Sequence, residues 1–471
     1  MITSSAFANK HYAVLGLARS GRATVEALLA SGARVTAWDS NPETIESFRS
    51  SRAKSRDVGE RVSTSLDTNG LVFADLDEVE LGQFDALILS PGVPLNRSPL
   101  AARAREAGVE IIGDIELFAR ARAELPPHKV VGITGTNGKS TTTALVHHIL
   151  EQAGVPSLMG GNIGLPILAQ NSLPKGGIYV LELSSYQIDL TQSLDCDVAV
   201  LLNITPDHLD RYDGFGGYAR SKLRLFGMQS AGRPVLIGDP TGPEDDVIGD
   251  YLDELHGSGK NPIEHQVLMD TLWDHGTSFA AGALSIDGRR VAAQADWPAL
   301  QGPHNAWNAS IAATACRLIG LDLGAIVEGL QSFPGLPHRM ERIAEKNGVL
   351  FVNDSKATNV EAAAPALAAY PRVRWIVGGQ AKAETLGDAA KHLDHVVKAY
   401  TIGEAAGLFE RLLNPHMPVK NCGELGQAVK QAAADAEAGD TVLLSPACAS
   451  FDQFSDFEAR GDAFRAAVEG L

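Results

Sequence analysis

Short runs of apolar and β-branched residues alternate along the chain with longer stretches whose apolar positions recur every third or fourth residue. Runs of the first kind suit strands buried on both faces, and the longer stretches suit the helices that cover them. The alternation therefore predicts an α/β protein with parallel sheets. Three series can be separated. The first opens with the strand Tyr12-Ala13-Val14-Leu15, a glycine turn and a helix over 20–30. It continues through Arg34-Val35-Thr36-Ala37-Trp38-Asp39 and the strand Ala86-Leu87-Ile88-Leu89, which meets Ser90-Pro91-Gly92. Residues 121–128, with Pro126-Pro127, read as a connection.

The second series starts at Lys129-Val130-Val131-Gly132-Ile133-Thr134, with a glycine loop and a long helix behind it. Strands are expected again over 178–183 and 198–204, then an acid-rich surface insertion over 239–260. Residues 283–292 read as a hairpin turning at Asp287-Gly288, and a helix follows from about Asn305. Phe333-Pro334-Gly335-Leu336-Pro337 reads as a second linker. Beyond it, strands are expected near Leu350-Phe351-Val352, Arg374-Trp375-Ile376-Val377 and Thr441-Val442-Leu443-Leu444. At about 150 residues per domain, the chain makes roughly three domains.

Composition works mainly by exclusion. With 45% hydrophobic and 21% charged residues the chain can bury several cores, which excludes disorder, coiled coil and collagen-like fibre as its main state. Lys+Arg 40 against Asp+Glu 57 gives a net charge of −17, so nothing global attracts nucleic acid or anionic membrane, although a local anion site stays open. No apolar run approaches the roughly 20 residues of a membrane span. The start, MITSSAFANKHYAV, lacks the basic end and apolar stretch of a secretory signal. Cys196, Cys316, Cys422 and Cys448 lie far apart, which favours free thiols in a reducing compartment over a zinc site. A soluble cytoplasmic protein is expected.

The clearest chemical signal is Gly135-Thr136-Asn137-Gly138-Lys139-Ser140-Thr141, between a predicted strand and a predicted helix. Successive backbone N–H groups in such a loop, with the helix N-terminus behind them, cradle phosphate oxygens. Lys139 would reach the β- and γ-phosphates, and the Ser140 hydroxyl would ligate Mg²⁺. The strict Walker pattern asks for glycine where this chain has Ile133, so a glycine-rich structural turn is the bland alternative.

Ligands of open parallel sheets bind beyond the carboxyl ends of the strands. One strand of this series ends at Glu182, before Ser184-Ser185-Tyr186-Gln187, and another at Asn203, before Thr205-Pro206-Asp207-His208-Leu209-Asp210-Arg211. Both bring hard ligands toward the phosphate loop, as Mg²⁺ requires. Taken alone, His208 reads as a surface-loop histidine. Glu182 is less easily dismissed, because burying an unpaired carboxylate is costly. In the first series, Gly16-Leu17-Ala18-Arg19-Ser20-Gly21 is a G-x-A-x-x-G variant of the dinucleotide fingerprint, and Asp39 stands at the spacing of a ribose contact. That suits a nicotinamide-dependent dehydrogenase or another nucleotide-diphosphate ligand. Ala18 weakens the case for close pyrophosphate approach, and a purely structural turn stays open.

The phosphate loop is joined by Gly160-Gly161-Asn162-Ile163-Gly164, Glu182-Leu183-Ser184-Ser185 and Asp207-His208-Leu209-Asp210-Arg211. Gly335-Leu336-Pro337-His338-Arg339 and Asn353-Asp354-Ser355-Lys356-Ala357-Thr358-Asn359 follow. This ordered set resembles the Mur ligases, which build the peptide stem of bacterial peptidoglycan, over nearly the whole chain. The ending Leu444-Ser445-Pro446-Ala447-Cys448-Ala449-Ser450-Phe451-Asp452-Gln453-Phe454 is similar to the branch that adds D-glutamate. The D-N-P-[RA] motif of the branches that add diaminopimelate or lysine is absent from the third domain. The resemblance implies a Rossmann-like, UDP-substrate-binding domain over 1–113 and a central P-loop ATPase-type parallel sheet over 114–334. A Rossmann-like, amino-acid-binding domain over 335–471 completes the α/β chain.

It also implies a mechanism. The alanyl carboxylate of UDP-N-acetylmuramoyl-L-alanine attacks the γ-phosphate of ATP, and the amine of D-glutamate then displaces phosphate from the acyl phosphate. Two Mg²⁺ ions, for which Mn²⁺ can substitute, would screen the anionic repulsion together with Lys139. By resemblance, Ser140 and Glu182 serve one metal and His208 the other. Lys222, carbamylated on its side-chain nitrogen, helps hold the second ion, although sequence physics alone reads it as an exposed helical lysine. Lys139, Glu182, His208 and Lys222 form the implied catalytic set. ATP is matched by the loop residues Gly135 to Thr141, by Asn305, by Arg339 near its phosphates and by Asp354 near its ribose. Ser20, Asp39 and Gly92 match the uridine diphosphate, with Asn162 and His208 at the muramoyl-alanine end. Ser40-Asn41 departs from the Thr-Arg of some members. Lys356, Thr358, Lys382, Ser450 and Phe457 match D-glutamate, and two lysines facing a dicarboxylate make electrostatic sense. A monomer is expected. The rival readings are a ligase of the folylpolyglutamate synthase kind with another acceptor, a nicotinamide-dependent dehydrogenase and a non-catalytic nucleotide switch. The dehydrogenase reading gives no account of the phosphate loop, and a switch would not need Glu182, His208, Lys222 and Lys382 together.

Overall fold

The computed structural model describes residues 1–56, 70–209, 211–238, 244–257, 277–280, 282–286 and 289–471. The first sheet contains β1 (His11–Leu15), β2 (Arg34–Trp38), β3 (Leu71–Phe73), β4 (Ala86–Leu89) and β5 (Glu110–Ile112). Its order is β3-β2-β1-β4-β5 and every pair is parallel. The order reverses at β1 and β4, the place where a ligand crevice opens beyond the strand ends. Helices α1 (Arg19–Ala30), α2 (Pro42–Arg56), α3 (Pro99–Glu106) and α4 (Asp114–Ala121) accompany it.

The second sheet contains β6 (Lys129–Thr134), β7 (Ser157–Gly161), β8 (Ile178–Glu182), β9 (Val198–Leu201) and β10 (Val235–Ile237), in the parallel order β10-β9-β6-β8-β7. Its helices are α5 (Lys139–Gln152), α6 (Ser185–Asp189), α7 (Gly214–Gly227) and α8 (Glu244–Gly257). Every residue of β8 and β9 is buried, which explains their unbroken apolar runs. A small sheet orders β11 (Thr277–Ala280), β12 (Ala283–Ile286) and β13 (Arg289–Ala293) side by side. The turn expected at Asp287-Gly288 lies outside the described residues, as does Asp210.

The last sheet contains β14 (Glu341–Lys346), β15 (Val349–Asn353), β16 (Val373–Gly378), β17 (Val396–Ile402), β18 (Val419–Gly423) and β19 (Thr441–Leu444). The order is β14-β15-β19-β16-β17-β18, with β14 antiparallel at one edge and the other pairs parallel. Alternate residues feed opposite cores, as the two-residue period of a strand requires. Trp375, Val377 and Leu443 pack with Phe409 on one face, whereas Ile376, Val442 and Leu444 pack with Phe464 on the other.

Contacts divide the chain into two compact units. One comprises Met1–Ser278, Ile286–Gly288 and Ile311–Gly329, and the other Phe279–Ser285, Arg289–Ser310 and Leu330–Leu471. Residues 333–335 carry no regular structure and fall inside the second unit. Two expectations need correction. The acid-rich stretch contains α8, which buries Ile248 and Leu252 at helical spacing and leaves Asp250, Asp253 and Glu254 exposed, so part of it packs inward rather than lying wholly on the surface. The connection over 121–128 is helical at its start, because α4 runs to Ala121 and a 3-10 turn spans Arg122–Glu124. Among the described residues no helix is long and apolar enough to cross a membrane.

Candidate active site

The phosphate-type loop joins the end of β6 to the start of α5. Gly135 and Gly138 take φ of +152° and +83°, and a Cβ on Gly135 would stand 2.9 Å from the Leu202 Cβ, so glycine is needed there. Asn203 braces the loop from the neighbouring strand end. Its Oδ1 accepts from Asn137 N at 2.9 Å, its Nδ2 donates to Asn137 O at 3.1 Å, and its carbonyl accepts from Thr136 N at 3.0 Å. The strand expected over 198–204 stops at Leu201, and Asn203 turns to this task instead.

Two lysines meet at one carbonyl. Lys139 Nζ donates to Gly135 O at 2.9 Å and to Thr136 O at 2.8 Å, and Lys222 Nζ donates to the same Gly135 O at 2.8 Å. Lys222 is 2% exposed on α7, with its ammonium 4.7 Å from the Tyr218 ring centroid, which corrects the exposed-lysine reading. Burial first, and the Lys139 charge second, push Lys222 well below the ordinary lysine range. Two ammonium groups converging on one loop carbonyl favour phosphate oxygens nearby.

Glu182 ends β8 and is 2% exposed. Its Oε1 accepts from Asn162 Nδ2 at 2.8 Å, while Oε2 is buried without a hydrogen-bond partner. Asn162 reaches it because Gly161 leaves room: a Cβ there would lie 2.1 Å from the Glu182 carbonyl oxygen. An unpaired buried carboxylate oxygen is costly, and a hard cation would satisfy it. Ser140, nearly buried in the first turn of α5, supplies a hydroxyl of the type Mg²⁺ accepts, so the residues fit the ion. Among the described residues no three His, Cys, Asp or Glu side chains are grouped to hold a metal ion. His208 has φ of +51°, with a side chain 47% exposed and Nε2 3.5 Å from Asp207 Oδ2. Its ring lies 6.2 Å from that of Tyr218, whose hydroxyl is 3.1 Å from Thr136 Oγ1. Tyr218 therefore touches the glycine loop, Lys222 and His208 together.

In the first sheet, a cavity of about 430 Å³ is lined by Gly16, Trp38, Asp39, Ser40, Gly92 and Val93, among others. A Cβ on Gly21 would fall 1.8 Å from the Gly16 carbonyl oxygen, so the last glycine of the turn serves close helix–strand packing. Asp39 Oδ2 accepts from Leu17 N at 2.6 Å and Oδ1 from Asn41 N at 2.9 Å, bracing the turn with both oxygens. Ser20 is not brought to this cavity; it lines a separate crevice with Ser90 and Pro91.

The second unit gathers Asn305, Arg339 and Asp354 around Met340. Asn305 Nδ2 lies 3.9 Å from Met340 Sδ, and Met340 N donates to Asp354 Oδ1 at 3.1 Å. His338 and Met340 hold φ of +59° and +45°, and the Arg339 Nε between them is buried without a partner. Strain and an unmet donor at one bend are what a ligand site accumulates. Asp354 Oδ2 accepts from Ser445 Oγ at 2.8 Å, and burial raises its carboxyl to about 7. Lys356 Nζ stands 5.1 Å from the Phe457 ring centroid, and Thr358 follows two residues later, ahead of the helix cap Asn359. Gln380 and Ala449 exchange backbone bonds of 2.9 and 3.0 Å, which brings the segment leading to Lys382 alongside Ser450. Arg460 escapes the sequence reading. It is buried, donating to Ser355 Oγ at 3.0 Å, Ser355 O at 2.8 Å and Cys448 O at 3.0 Å, and so staples the segments that carry Lys356 and Ser450. An arginine on an amphipathic helix gives no signal of such a role.

Comparison with known proteins completes the picture. The MurD-like N-terminal domain of Mur ligases matches residues 10–113, the Mur ligase middle domain 133–316, and the Mur ligase glutamate ligase domain 338–448. The UDP-N-acetylmuramoylalanine–D-glutamate ligase of Novosphingobium aromaticivorans is 54% identical over 100% of this chain and 97% of its own. The enzyme of the same name from Zymomonas mobilis is 49% identical over 100% of both chains. Among solved structures, a UDP-N-acetylmuramate–alanine ligase from Thermotoga maritima aligns with a TM-score of 0.53 at 17% identity, over 98% of this chain and 99% of that one. A bifunctional folylpolyglutamate synthase/dihydrofolate synthase from Yersinia pestis gives 0.54 at 20% identity, over 76% and 93%. At such identities the structures share the fold alone, whereas the ordered domain matches and the full-length relatives carry more: the chain belongs to the Mur ligase family.

Proposed function

We propose that this Mur ligase is an ATP-dependent amide ligase that joins D-glutamate to UDP-N-acetylmuramoyl-L-alanine during the synthesis of peptidoglycan precursors. The observation that carries the reading is the pair Lys139 and Lys222 on the Gly135 carbonyl, with the unpaired Glu182 oxygen at the neighbouring strand end. ATP phosphates suit the two ammonium groups, and Mg²⁺ suits the unpaired carboxylate oxygen. The choice of D-glutamate rests on relatives of that name at 54% and 49% identity over the full length. The nicotinamide reading gives no account of the glycine loop with its two lysines, and relatives at 54% and 49% identity over the full length bear the name of a ligase.

In the first step an oxygen of the alanyl carboxylate attacks the γ-phosphorus, the bond to the bridging oxygen breaks, and ADP leaves. Lys139 turns from the loop carbonyls to the phosphoryl oxygens as charge develops there, while the glycine loop holds the phosphates by its N–H groups. In the second step the amine of D-glutamate attacks the acyl carbon, the C–O bond to phosphate breaks, and the nitrogen gives up a proton. Mg²⁺, when bound by Ser140 and Glu182, supplies charge neutralisation between the two anions. A second ion would be held by His208 and by Lys222 as its carbamate, which presents oxygens where an ammonium would repel a cation. Asn305, Arg339 and Asp354 would serve ATP. Ser20, Asp39, Gly92 and Asn162 would serve the UDP substrate. Lys356, Thr358, Lys382, Ser450 and Phe457 would serve D-glutamate. The domain boundaries at 113/114 and 334/335 and a cytoplasmic monomer belong to the same reading.

The test is phosphate release from ATP with UDP-N-acetylmuramoyl-L-alanine and a panel of D- and L-amino acids. Release is expected only with both substrates and preferentially with D-glutamate. Equal turnover with L-glutamate or diaminopimelate would reject the acceptor.

A further inference from the structure

We propose that Arg211 and Arg19 are positioning residues that set the distance between the nucleotide subsite and the acyl end of the substrate. The inference rests on reading the cavity wall at Gly92, and the neighbouring crevice that Ser20 lines with Pro91, as the nucleotide side, and Asn162 and His208 as acyl-end contacts. Arg211 follows His208 by three positions, but its guanidinium leaves that loop. Nη2 donates to Pro91 O at 3.0 Å and to Val93 O at 2.6 Å, and Nη1 donates to Gly92 O at 3.3 Å. These are successive carbonyls of the segment beyond β4, and Gly92 and Val93 form part of the wall of the 430 Å³ cavity. The Arg211 Cζ lies 3.6 Å from the Tyr186 ring centroid, and Tyr186 packs against His208 with centroids 5.0 Å apart. Asn96, further along the same segment, donates its side-chain amide to Arg211 O. One side chain thus ties the cavity wall to the loop that carries His208.

A second tie joins the other pair of elements. Arg19 opens α1 beside Ser20, and its Nη2 donates to Gly164 O at 2.6 Å. Gly164 stands two residues after Asn162, which holds Glu182. Each arginine therefore links one nucleotide-side element to one acyl-end element: Gly92 to His208, and Ser20 to Asn162.

The chemistry of the tie explains the residue type. Three convergent carbonyls need a planar cation with several fixed donors; a lysine ammonium would meet fewer of them and could not lie flat on Tyr186. Holding two subsites at a fixed spacing favours a ligand that engages both at once over either half alone. The signature is accordingly a ratio: the affinity for the complete UDP-N-acetylmuramoyl-L-alanine relative to that for UDP.

Calorimetric titration of both ligands into wild type, Arg211→Ala, Arg211→Lys, Arg19→Ala and Asn96→Ala reads that ratio, with thermal unfolding and steady-state kinetics alongside. Arg211→Ala should keep UDP affinity within about twofold, as an ordinary surface substitution would. It should weaken the complete substrate about tenfold or more. Its KM for that substrate should rise while the KM for D-glutamate stays unchanged. Arg211→Lys should recover part of the loss, and Arg19→Ala and Asn96→Ala should move the ratio the same way by less. Equal losses for UDP and the complete substrate would overturn the proposal, because Arg211 would then only shape the cavity wall. An unchanged ratio would overturn it too. Should Arg211→Ala unfold, Arg211→Lys and Asn96→Ala carry the same criterion. A wild type that binds UDP but not the complete substrate would reject the functional reading itself, an outcome distinct from those of the variants.

Discussion

Lys139 and Lys222 donate to one carbonyl oxygen, so removing each should have a different consequence. Lys139 contributes charge at a loop whose shape comes from Gly135, Gly138 and the Asn203 bonds. Lys139→Ala should therefore lower ligation by about 10² to 10³ or more, the cost of deleting a donor aimed at developing charge, with an unchanged unfolding temperature. Near-normal phosphate release from a normally folded variant would remove Lys139 from the mechanism. Lys222 is sealed under Tyr218, and its proposed carbamate would be an anion held in place by the fold. Lys222→Ala should lose most activity, and a small carboxylate such as acetate should restore part of it by occupying the vacated space. Electron density for an unmodified ammonium at Lys222 in an active complex with both metals would refute the carbamate.

At the scale of elements, Asp354 at the end of β15 offers a test that needs no turnover. Its carboxyl is raised to about 7 from an ordinary 3.8, mainly by burial. Between those values the folded chain keeps a proton that the unfolded chain releases, so stability from this group is present below the ordinary value and is lost as pH rises toward 7. Asp354→Asn cannot ionise, and its unfolding temperature relative to wild type should therefore climb from about pH 5 to about pH 8. A constant difference across that range would mean that Asp354 is ionised when folded. The same scale shows what was legible in the sequence. Central strands such as β4, β6, β8 and β19 read clearly because both faces are buried. Edge strands do not: β14 reads Glu-Arg-Ile-Ala-Glu-Lys and β18 reads Val-Lys-Asn-Cys-Gly, with solvent on one side. The internal β17 escapes because Lys398 and Tyr400 interrupt its apolar run, and both are spent on Asp435 at 2.6 and 2.8 Å. In the site, the glycine loop and Glu182 were legible because few sequences need those residues at strand ends. The burial of Lys222 and the staples made by Arg211 and Arg460 were not, since each depends on a partner 87 to 120 positions away.

For the whole molecule, the division into two compact units makes a calorimetric prediction. The residues proposed for the UDP substrate, Ser20, Asp39, Gly92, Asn162 and His208, all lie in the first unit, and those proposed for D-glutamate, Lys356, Thr358, Lys382, Ser450 and Phe457, all lie in the second. Chains with separate cores need not unfold in one step, so two transitions are expected on heating. A ligand stabilises the unit that binds it by RT ln(1 + [L]/Kd), about 2.7 kcal/mol at a hundredfold excess over Kd. UDP-N-acetylmuramoyl-L-alanine should raise one transition and D-glutamate the other. The transitions can be assigned independently with cavity-forming substitutions at fully buried positions, Leu145→Ala in the first unit and Phe464→Leu in the second, each lowering its own transition. If D-glutamate raises the transition that Leu145→Ala lowers, the acceptor residues have been placed on the wrong unit. If heating gives a single transition that either ligand raises, the two units unfold as one, and the separation of substrate and acceptor residues has no thermodynamic counterpart.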